Sequence, residues 1–225
     1  MRNKKRIEEI LHKSKENGWV LEPDAKKIFS LAGIAVPKYN VAHTLDETVS
    51  IANKIGFPVV AKIVSTEIIH KTEYDGVAVG IASQDELETI FERFQALPGF
   101  AGMLIEEMVK GVELIVGAKN DTQFGPVVLL GIGGTGVEIY QDSSIRMAPL
   151  AHNDVSAMLD ELKGKKLLYG YRGKPAADIG ALARTLVIFS KIIMHIENSF
   201  ESIDINPLFC NEGGCIAADA RIILK

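Results

Sequence analysis

Apolar residues recur along the chain with two periods, one typical of helices and the other of strands. Ile7, Ile10 and Leu11 share one face of a charged helix over residues 3–17. Further helices are predicted over residues 22–33, 46–55, 83–94, 153–162 and 176–197. Strands are predicted over FPVVAKIVS, VAVGI, MLIEEMV, VELIVGA, FGPVVLLGIGG, VEIYQ and RMAPL. In the strand-like run GIAVPKYNVAH, Pro37 argues for a sheet edge or a loop.

The order of these elements predicts an α/β protein in which helix–strand pairs come first and a strand-rich lobe follows. SIDINPLFC and CIAADARII form a closing hairpin around NEGG. We place the division between the two lobes at LPGFAG, near residues 100–105.

The composition is that of an ordinary globular protein, with 47% hydrophobic and 24% charged residues among 225. The formal net charge of −4 implies no broad basic face, which argues against nucleic acid as the main partner. No apolar run reaches the roughly 20 residues that span a bilayer, and the charged N-terminus has no signal-peptide core. We therefore expect a cytoplasmic protein without a membrane partner.

Cys210 and Cys215 flank the predicted NEGG turn and could face each other across the hairpin. Disulfides are rare in cytosolic proteins, so we expect both residues to serve as small apolar side chains.

Lys62 lies inside the apolar strand PVVAKIVS, where it must either point outward or meet an anion such as a phosphate. Glu106 and Glu113 stand near two strand ends in EEMVKGVEL. They are either solvated, or one holds an adenine amino group and the other ribose hydroxyls. In the second case the backbone of Met108 and Val109 could contact the other edge of the base.

The segment GIGGTGVE contains the spacing Gly131-x-Gly133-x-x-Gly136. A dinucleotide fingerprint needs a helix after its glycines, whereas a strand is predicted here, so we reject a Rossmann interpretation. The glycines serve either a turn or a close backbone approach to a phosphate or a partner loop.

Asp204 and Asn206 are two positions apart, so they share one face of a strand, and Asp219 is predicted on the returning strand. Carboxylate and amide oxygens suit Mg²⁺ that keeps water and phosphate ligands, as in Mg·ATP. Solvent-facing acids are the alternative. Arg146 stands between apolar residues in SSIRMAPL and could pair with a carboxylate or bind phosphate.

Taken together, the motifs resemble an ATP-grasp module, and more narrowly the ATP-binding beta subunit of the ADP-forming acyl-CoA synthetases, relatives of succinyl-CoA synthetase. The resemblance runs from about Trp19 onward and rests on PVVAK, on IIHKTEYDGV, on LIEEMVKGVELIVGA, on YGYRGKPAAD and on IDINPL. It implies an N-terminal helix (1–20) and two α/β lobes, 21–103 and 104–225, that clamp a nucleotide. The family usually has two glycines where this chain has Asp75-Gly76, which bears on the flexibility of that loop.

The resemblance also implies roles for individual residues. Lys62 would contact the nucleotide phosphates, Glu106 with the backbone of Met108 and Val109 would hold adenine, and Glu113 would hold ribose. Asn206 and Asp219 would bind Mg²⁺.

His70, in the HK segment, would take part in a phosphoryl relay, because a neutral imidazole is a good nucleophile near pH 7. Asp204 would support the phosphohistidine, and we add Arg146 to the catalytic candidates.

The implied reaction is acyl-CoA + ADP + Pi ⇌ carboxylic acid + CoA + ATP. The chain has no CoA-binding region, so the resemblance implies a CoA-binding alpha subunit as partner, in an α2β2 hetero-oligomer. A stand-alone ATP-grasp ligase and a non-catalytic nucleotide-sensing subunit are the alternatives.

Overall fold

The computed structural model describes residues 3–134, 142–173 and 175–225. Its helices are α1 (Lys4–Lys13), α2 (Glu22–Ala32), α3 (Leu45–Ile55), α4 (Gln84–Gln95), α5 (His152–Glu161) and α6 (Ile179–His195). Short 3₁₀ turns cover Lys15–Asn17, Lys71–Tyr74 and Lys163–Leu167. The strands are β1 (Trp19–Val20), β2 (Tyr39–Ala42), β3 (Val59–Ser65), β4 (Val77–Ile81), β5 (Phe100–Glu107), β6 (Val112–Asp121), β7 (Gly125–Ile132), β8 (Ser143–Met147), β9 (Phe200–Asn211), β10 (Gly214–Ala217) and β11 (Arg221–Leu224).

Contacts within the chain define two units. The small unit is Pro37–Val109, and the large unit combines Met1–Val36 with Lys110–Lys225. The sequence predicted a division after residue 103 with residues 21–36 in the first lobe. The structure differs because β5 continues to Glu107 in the sheet of the small unit, while β1 and α2 pack against β11 and α6 of the large unit.

The small unit is built on an antiparallel sheet with strand order β2-β5-β3-β4, so β2 lies at an edge. Pro37 precedes β2 and lies outside the strand, in agreement with the edge or loop predicted there. α3 and α4 cover the sheet. Each begins at a hydroxyl cap: Thr44 accepts a hydrogen bond from the Glu47 amide, and Ser83 accepts one from the Glu86 amide. The predicted Ser83–Glu86 capping interaction is thus present on the Ser83 side.

The large unit has an antiparallel sheet with the order β1-β11-β9-β6-β7-β8, and β10 pairs with a second part of β9. Alternate residues of these strands, such as Leu114, Val116, Ile203 and Ile205, are buried in a core with α6. The other face of each strand carries the polar side chains, as period-two alternation requires.

Most predicted elements are confirmed to within a few residues, but the last hairpin is not a simple pair. The chain after NEGG forms two strands, β10 and β11, and Asp219 lies between them. The predicted strand VEIYQ falls in 137–141, outside the described residues. Within the described ranges no helix is both long and apolar enough to cross a bilayer.

The expectation for the two cysteines was wrong. Cys210 on β9 and Cys215 on β10 are directly opposed and form a disulfide. The register of the hairpin, which follows from the NEGG turn, puts the two side chains on the same face.

Candidate functional site

A buried ion pair joins two central strands of the small unit. The Nζ atom of Lys62 on β3 lies 2.9 Å from Oε1 of Glu106 on β5. The Lys62 side chain is 6% exposed and that of Glu106 is 3% exposed. The outward-facing alternative for Lys62 and the solvated alternative for Glu106 are therefore wrong, because both charges are withdrawn from water and held together.

The adenine-contacting candidates Met108 and Val109 follow Glu106 closely. β5 ends at Glu107, and these two residues complete the small unit. Glu107 itself accepts a hydrogen bond of 2.9 Å from the Lys38 amide, which fixes the start of the neighbouring strand. Met108 and Val109 thus follow the sheet at a defined position, and Glu106 stands two residues before Met108.

His70 lies just beyond β3 on an anchored turn. The Ser65 hydroxyl donates to the Pro98 carbonyl (2.8 Å) and accepts from the Glu67 and Ile68 amides (3.0 Å each). Ile68 is buried, whereas His70 is exposed. The strand that carries Lys62 therefore continues into a fixed turn that presents an imidazole at the surface of the same unit.

The turn after His70 closes tightly. The Gly76 amide donates to the Lys71 carbonyl at 2.8 Å, and a Cβ added at Gly76 would lie 2.6 Å from Cγ2 of Ile63. Asp75 adopts φ of 50°, in the left-handed region. This is the position at which the resembled family usually has glycine, and aspartate is one of the few other residues that tolerate it.

In the large unit, β9 carries two of the predicted oxygen ligands. Asp204 and Asn206 alternate with the buried Ile203 and Ile205, so they lie on one face of the strand, as predicted. Oδ1 of Asp204 accepts a 2.9 Å hydrogen bond from Nε of Arg221.

Sequence reasoning gave Arg221 no role. The only signal for it would have been the register between β9 and β11, which places Arg221 directly opposite Asp204. That register depends on where β10 ends, and the sequence pattern predicted one continuous strand there.

Asp219 does not lie on the returning strand, where the sequence predicted it. It lies in the break between β10 and β11, where its Oδ1 accepts a 2.7 Å bond from the Ala220 amide. The preceding Ala218 amide donates to the Pro207 carbonyl at 3.0 Å, which ties this break to the residue after Asn206. The amide side chain of Asn206 and the carboxylate side chain of Asp219 thus belong to two backbone segments that this hydrogen bond joins.

The donor set of these segments suits a magnesium ion shared with a phosphate. Among the described residues no group of three or more His, Cys, Asp or Glu side chains could hold a metal ion alone. Mg²⁺ commonly takes one or two protein oxygens and completes its shell with phosphate and water. Asn206 and Asp219 fit that requirement.

Glu113 is the second residue of β6 and lines a cavity of about 600 Å³ in the large unit. Its carbonyl accepts a 2.7 Å hydrogen bond from the Gly133 amide. A Cβ at Gly133 would lie 2.8 Å from the Glu113 carbonyl carbon, so only glycine permits this approach of β7 to β6. Thr135 and Gly136, further along the glycine-rich segment, lie outside the described residues.

Arg146 on β8 has a carboxylate partner. Its guanidinium binds the Glu161 carboxylate on α5 (Nη1–Oε2 3.2 Å) and contacts the Ser144 hydroxyl at 3.3 Å. The hydrogen bond from Arg146 holds the pKa of Glu161 below its ordinary value, and the same bond raises the pKa of Arg146. Of the two roles that the sequence left open, the structure places Arg146 in the ion pair, where it joins β8 to α5.

The predicted site residues thus fall into two groups, one in each unit. The small unit holds Lys62, His70, Glu106, Met108 and Val109, and the large unit holds Glu113, Arg146, Asp204, Asn206 and Asp219.

Comparison with known proteins gives consistent matches over nearly the whole chain. The family model of the ATP-grasp domain matches residues 11–224. Subunit beta of the ADP-forming acetate–CoA ligase I of Pyrococcus furiosus is 40% identical over 225 residues, covering 96% of this chain and 97% of that one.

Longer relatives contain a similar region as one part of their length. The ADP-forming acetate–CoA ligase II of Archaeoglobus fulgidus is 37% identical over 206 residues, which cover 91% of this chain but only 30% of the relative. Such relatives and the separately encoded beta subunits imply a multi-subunit enzyme.

A solved structure has the same fold. It is the dinucleotide-forming acetyl-coenzyme A synthetase 1 of Candidatus Korarchaeum cryptofilum in complex with coenzyme A and Mg-AMPPCP, with its phosphohistidine segment pointing towards the nucleotide binding site. The TM-score is 0.84 at 38% identity, over 97% of this chain and 100% of that chain.

Proposed function

The chain belongs to the ATP-grasp domain family, and we propose that it is the nucleotide-binding beta subunit of an ADP-forming acyl-CoA synthetase. The family and the α/β ATP-grasp fold that the sequence predicted are confirmed. The proposed reaction is acyl-CoA + ADP + Pi ⇌ carboxylic acid + CoA + ATP, carried out with a CoA-binding alpha subunit in an α2β2 assembly in the cytoplasm.

The single observation that supports the proposal most strongly is the set of charged groups that β3 and β5 hold in the small unit. Lys62 is buried against Glu106, and His70 follows on an anchored turn of the same unit. A buried ammonium group on a rigid strand is suited to bind phosphate oxygens. Glu106 can accept a hydrogen bond from the adenine amino group, and the backbone of Met108 and Val109 can contact the base edge.

In the large unit, Glu113 would accept hydrogen bonds from the ribose hydroxyls. Asn206 and Asp219 would hold Mg²⁺, which when bound neutralises phosphate charge and orients the transferred phosphoryl group. The pair of Arg221 with Asp204 fixes the orientation of the Asp204 carboxylate, which we assign to the support of the phosphohistidine.

The chemical step assigned to His70 is phosphoryl transfer. In the direction of ATP cleavage, a neutral imidazole nitrogen attacks the γ-phosphorus, an N–P bond forms, and the P–O bond to ADP breaks. ADP leaves with the electron pair, and the imidazole ring gives up its N–H proton. In the opposite direction His70 receives the phosphoryl group from the histidine of the CoA-binding subunit and passes it to ADP.

The test is transfer of label from γ-³²P-ATP with Mg²⁺ to the purified full chain, with and without the candidate CoA-binding subunit. Wild type is compared with His70→Ala and with His152→Ala, an exposed histidine of the large unit that serves as the matched control. We expect acid-labile, base-stable label on wild type and on His152→Ala only. Titration calorimetry should show near-normal Mg·ATP binding by His70→Ala.

Two results would contradict the proposal in different ways. Label that persists in His70→Ala would remove His70 from the relay and leave the nucleotide site intact. A wild-type chain that binds ATP but takes no label, even with the CoA-binding subunit, would favour a nucleotide-sensing subunit.

A further inference from the structure

The cavity beside Glu113 is defined entirely within the large unit. It lies where β6 begins and where β7 and β9 end, and its volume of about 600 Å³ is that of a small-molecule site. Every residue that lines it belongs to the large unit. Glu113, which the nucleotide roles already include, lines one part of the cavity, and the YGYRGKP segment lines another through Tyr171, Arg172 and Pro175.

The YGYRGKP segment is part of a loop, here named the cover loop and defined by residues 168–173 and 175–177. Its two ends are joined, because the Ala177 amide donates to the Leu168 carbonyl at 2.8 Å. Leu168 is fully buried, and the Asp178 amide donates to the Asn211 carbonyl at 2.9 Å, at the cavity edge. Both ends of the cover loop are therefore fixed to the large unit beside the cavity.

Tyr171 and Arg172 line the cavity from this loop. The Tyr171 ring is 46% exposed, and the Arg172 guanidinium lies 5.3 Å from its centroid. Arg172 adopts φ of 50°, a conformation that costs a non-glycine residue free energy. Neither side chain belongs to the hydrophobic core of the large unit.

The chemistry of the cavity suits a nucleoside phosphate. Ile132, Leu167 and Pro175 supply an apolar lining, the Glu113 carboxylate can accept hydrogen bonds from hydroxyl groups, and the planar Arg172 guanidinium can stack on a ring. A flat ring gains by packing against a half-exposed aromatic side chain. The nucleoside part of a nucleotide, with its planar base and its sugar hydroxyls, uses all three features.

We propose that Tyr171 and Arg172 form the outer wall of the nucleoside end of the nucleotide site, where they pack against the base and the sugar, and that the sugar hydroxyls donate hydrogen bonds to Glu113. The inference rests on the proposed function, since it concerns the same nucleotide. It adds to the proposed site two residues that would determine specificity for the nucleoside. Both lie on the cover loop, outside the strand motifs that carry the other nucleotide roles.

The test compares the affinity of the full chain for Mg·ADP with its affinity for magnesium tripolyphosphate, both measured by titration calorimetry. Only the first ligand carries a nucleoside, so the comparison separates nucleoside contacts from phosphate contacts. Tyr171→Ala should weaken ADP binding about tenfold, the usual effect of losing one aromatic stacking partner. Arg172→Ala should weaken it several-fold, and Tyr171→Phe, which keeps the ring, should bind ADP as wild type does. Tripolyphosphate affinity should stay unchanged in all three variants.

Tyr169→Ala is the matched control, because Tyr169 is 56% exposed on the same loop but does not line the cavity. Wild-type ADP affinity in both Tyr171→Ala and Arg172→Ala would overturn the inference and leave the proposed function standing. An equal loss of tripolyphosphate affinity would also overturn it, because the loop would then act on the phosphates. A wild-type chain that binds neither ligand would overturn the proposed function and this inference together.

Discussion

The ammonium group of Lys62 lies 2.9 Å from the Glu106 carboxylate across neighbouring strands, and both side chains are almost completely buried. Removing two charges from water is costly, and their attraction offsets this only while both are present. In the proposed function, a phosphate that binds Lys62 would meet an ammonium group that is already positioned and largely desolvated.

Replacing Lys62 by methionine should destabilise the protein by about 3 kcal/mol, because the buried Glu106 carboxylate loses this partner. The double variant Lys62→Met/Glu106→Leu should recover much of that loss. Urea unfolding of the single and double variants measures the coupling. ADP affinity should fall in every variant that lacks Lys62.

The control for this experiment is the pair of Lys38 and Glu107, in which the side chains are 84% and 33% exposed. Lys38→Met should cost less than about 1 kcal/mol, as is usual for exposed ion pairs. If Lys62→Met costs no more than Lys38→Met, the buried pair does not stabilise the small unit.

The turn after His70 gives a second prediction, because Asp75 is left-handed. Asp75→Gly should be tolerated to within about 0.5 kcal/mol, whereas Asp75→Val should cost about 2 kcal/mol, since a β-branched residue strongly disfavours positive φ. Thermal unfolding measures both, and Asp85→Val on α4, where φ is helical, is the comparison. Equal costs at positions 75 and 85 would contradict a strained turn beside His70.

A third prediction concerns the stability of the folded protein at low pH. The hydrogen bond from Arg146 lowers the pKa of Glu161 in the folded protein, so the folded state binds fewer protons than the unfolded state near that pKa. The resulting stabilisation is present above the ordinary glutamate pKa of about 4.3 and is lost as the pH falls through the lowered value.

Glu161→Gln should therefore lower the unfolding temperature at pH 7, and this effect should become smaller as the pH falls below the ordinary glutamate pKa to pH 3. Glu212→Gln, in the exposed hairpin turn, provides the control at each pH. A Glu161→Gln penalty of the same size at pH 3 would show that the side chain acts by packing and not by its charge.

The disulfide gives a fourth prediction. The purified protein, unfolded without reductant, should show no free thiol, and two after reduction. Cys210→Ser/Cys215→Ser should be less stable by about 2 kcal/mol under non-reducing conditions, as expected for a short closed loop. Under reducing conditions the difference from wild type should shrink. Two free thiols in the unreduced protein would contradict the pairing.

Much of the fold could be predicted because local patterns determine the elements. Helical periodicity defined α2 and α4, alternation defined β4 and β9, and Ser83 marked a helix start by a hydrogen bond made within one turn. These interactions lie close together in the sequence, so their signals survive in a short window. The same is true of the side-by-side placement of Asp204 and Asn206.

Contacts between distant strands could not be predicted in this way. The sequence determined that Lys62 stands in an apolar strand, but only the pairing of β3 with β5 decided that it is buried against Glu106. Strand register likewise decided that Arg221 meets Asp204, and the break between β10 and β11 decided where Asp219 lies. Register depends on where each turn and bulge falls, and a shift of one residue moves every side chain to the other face.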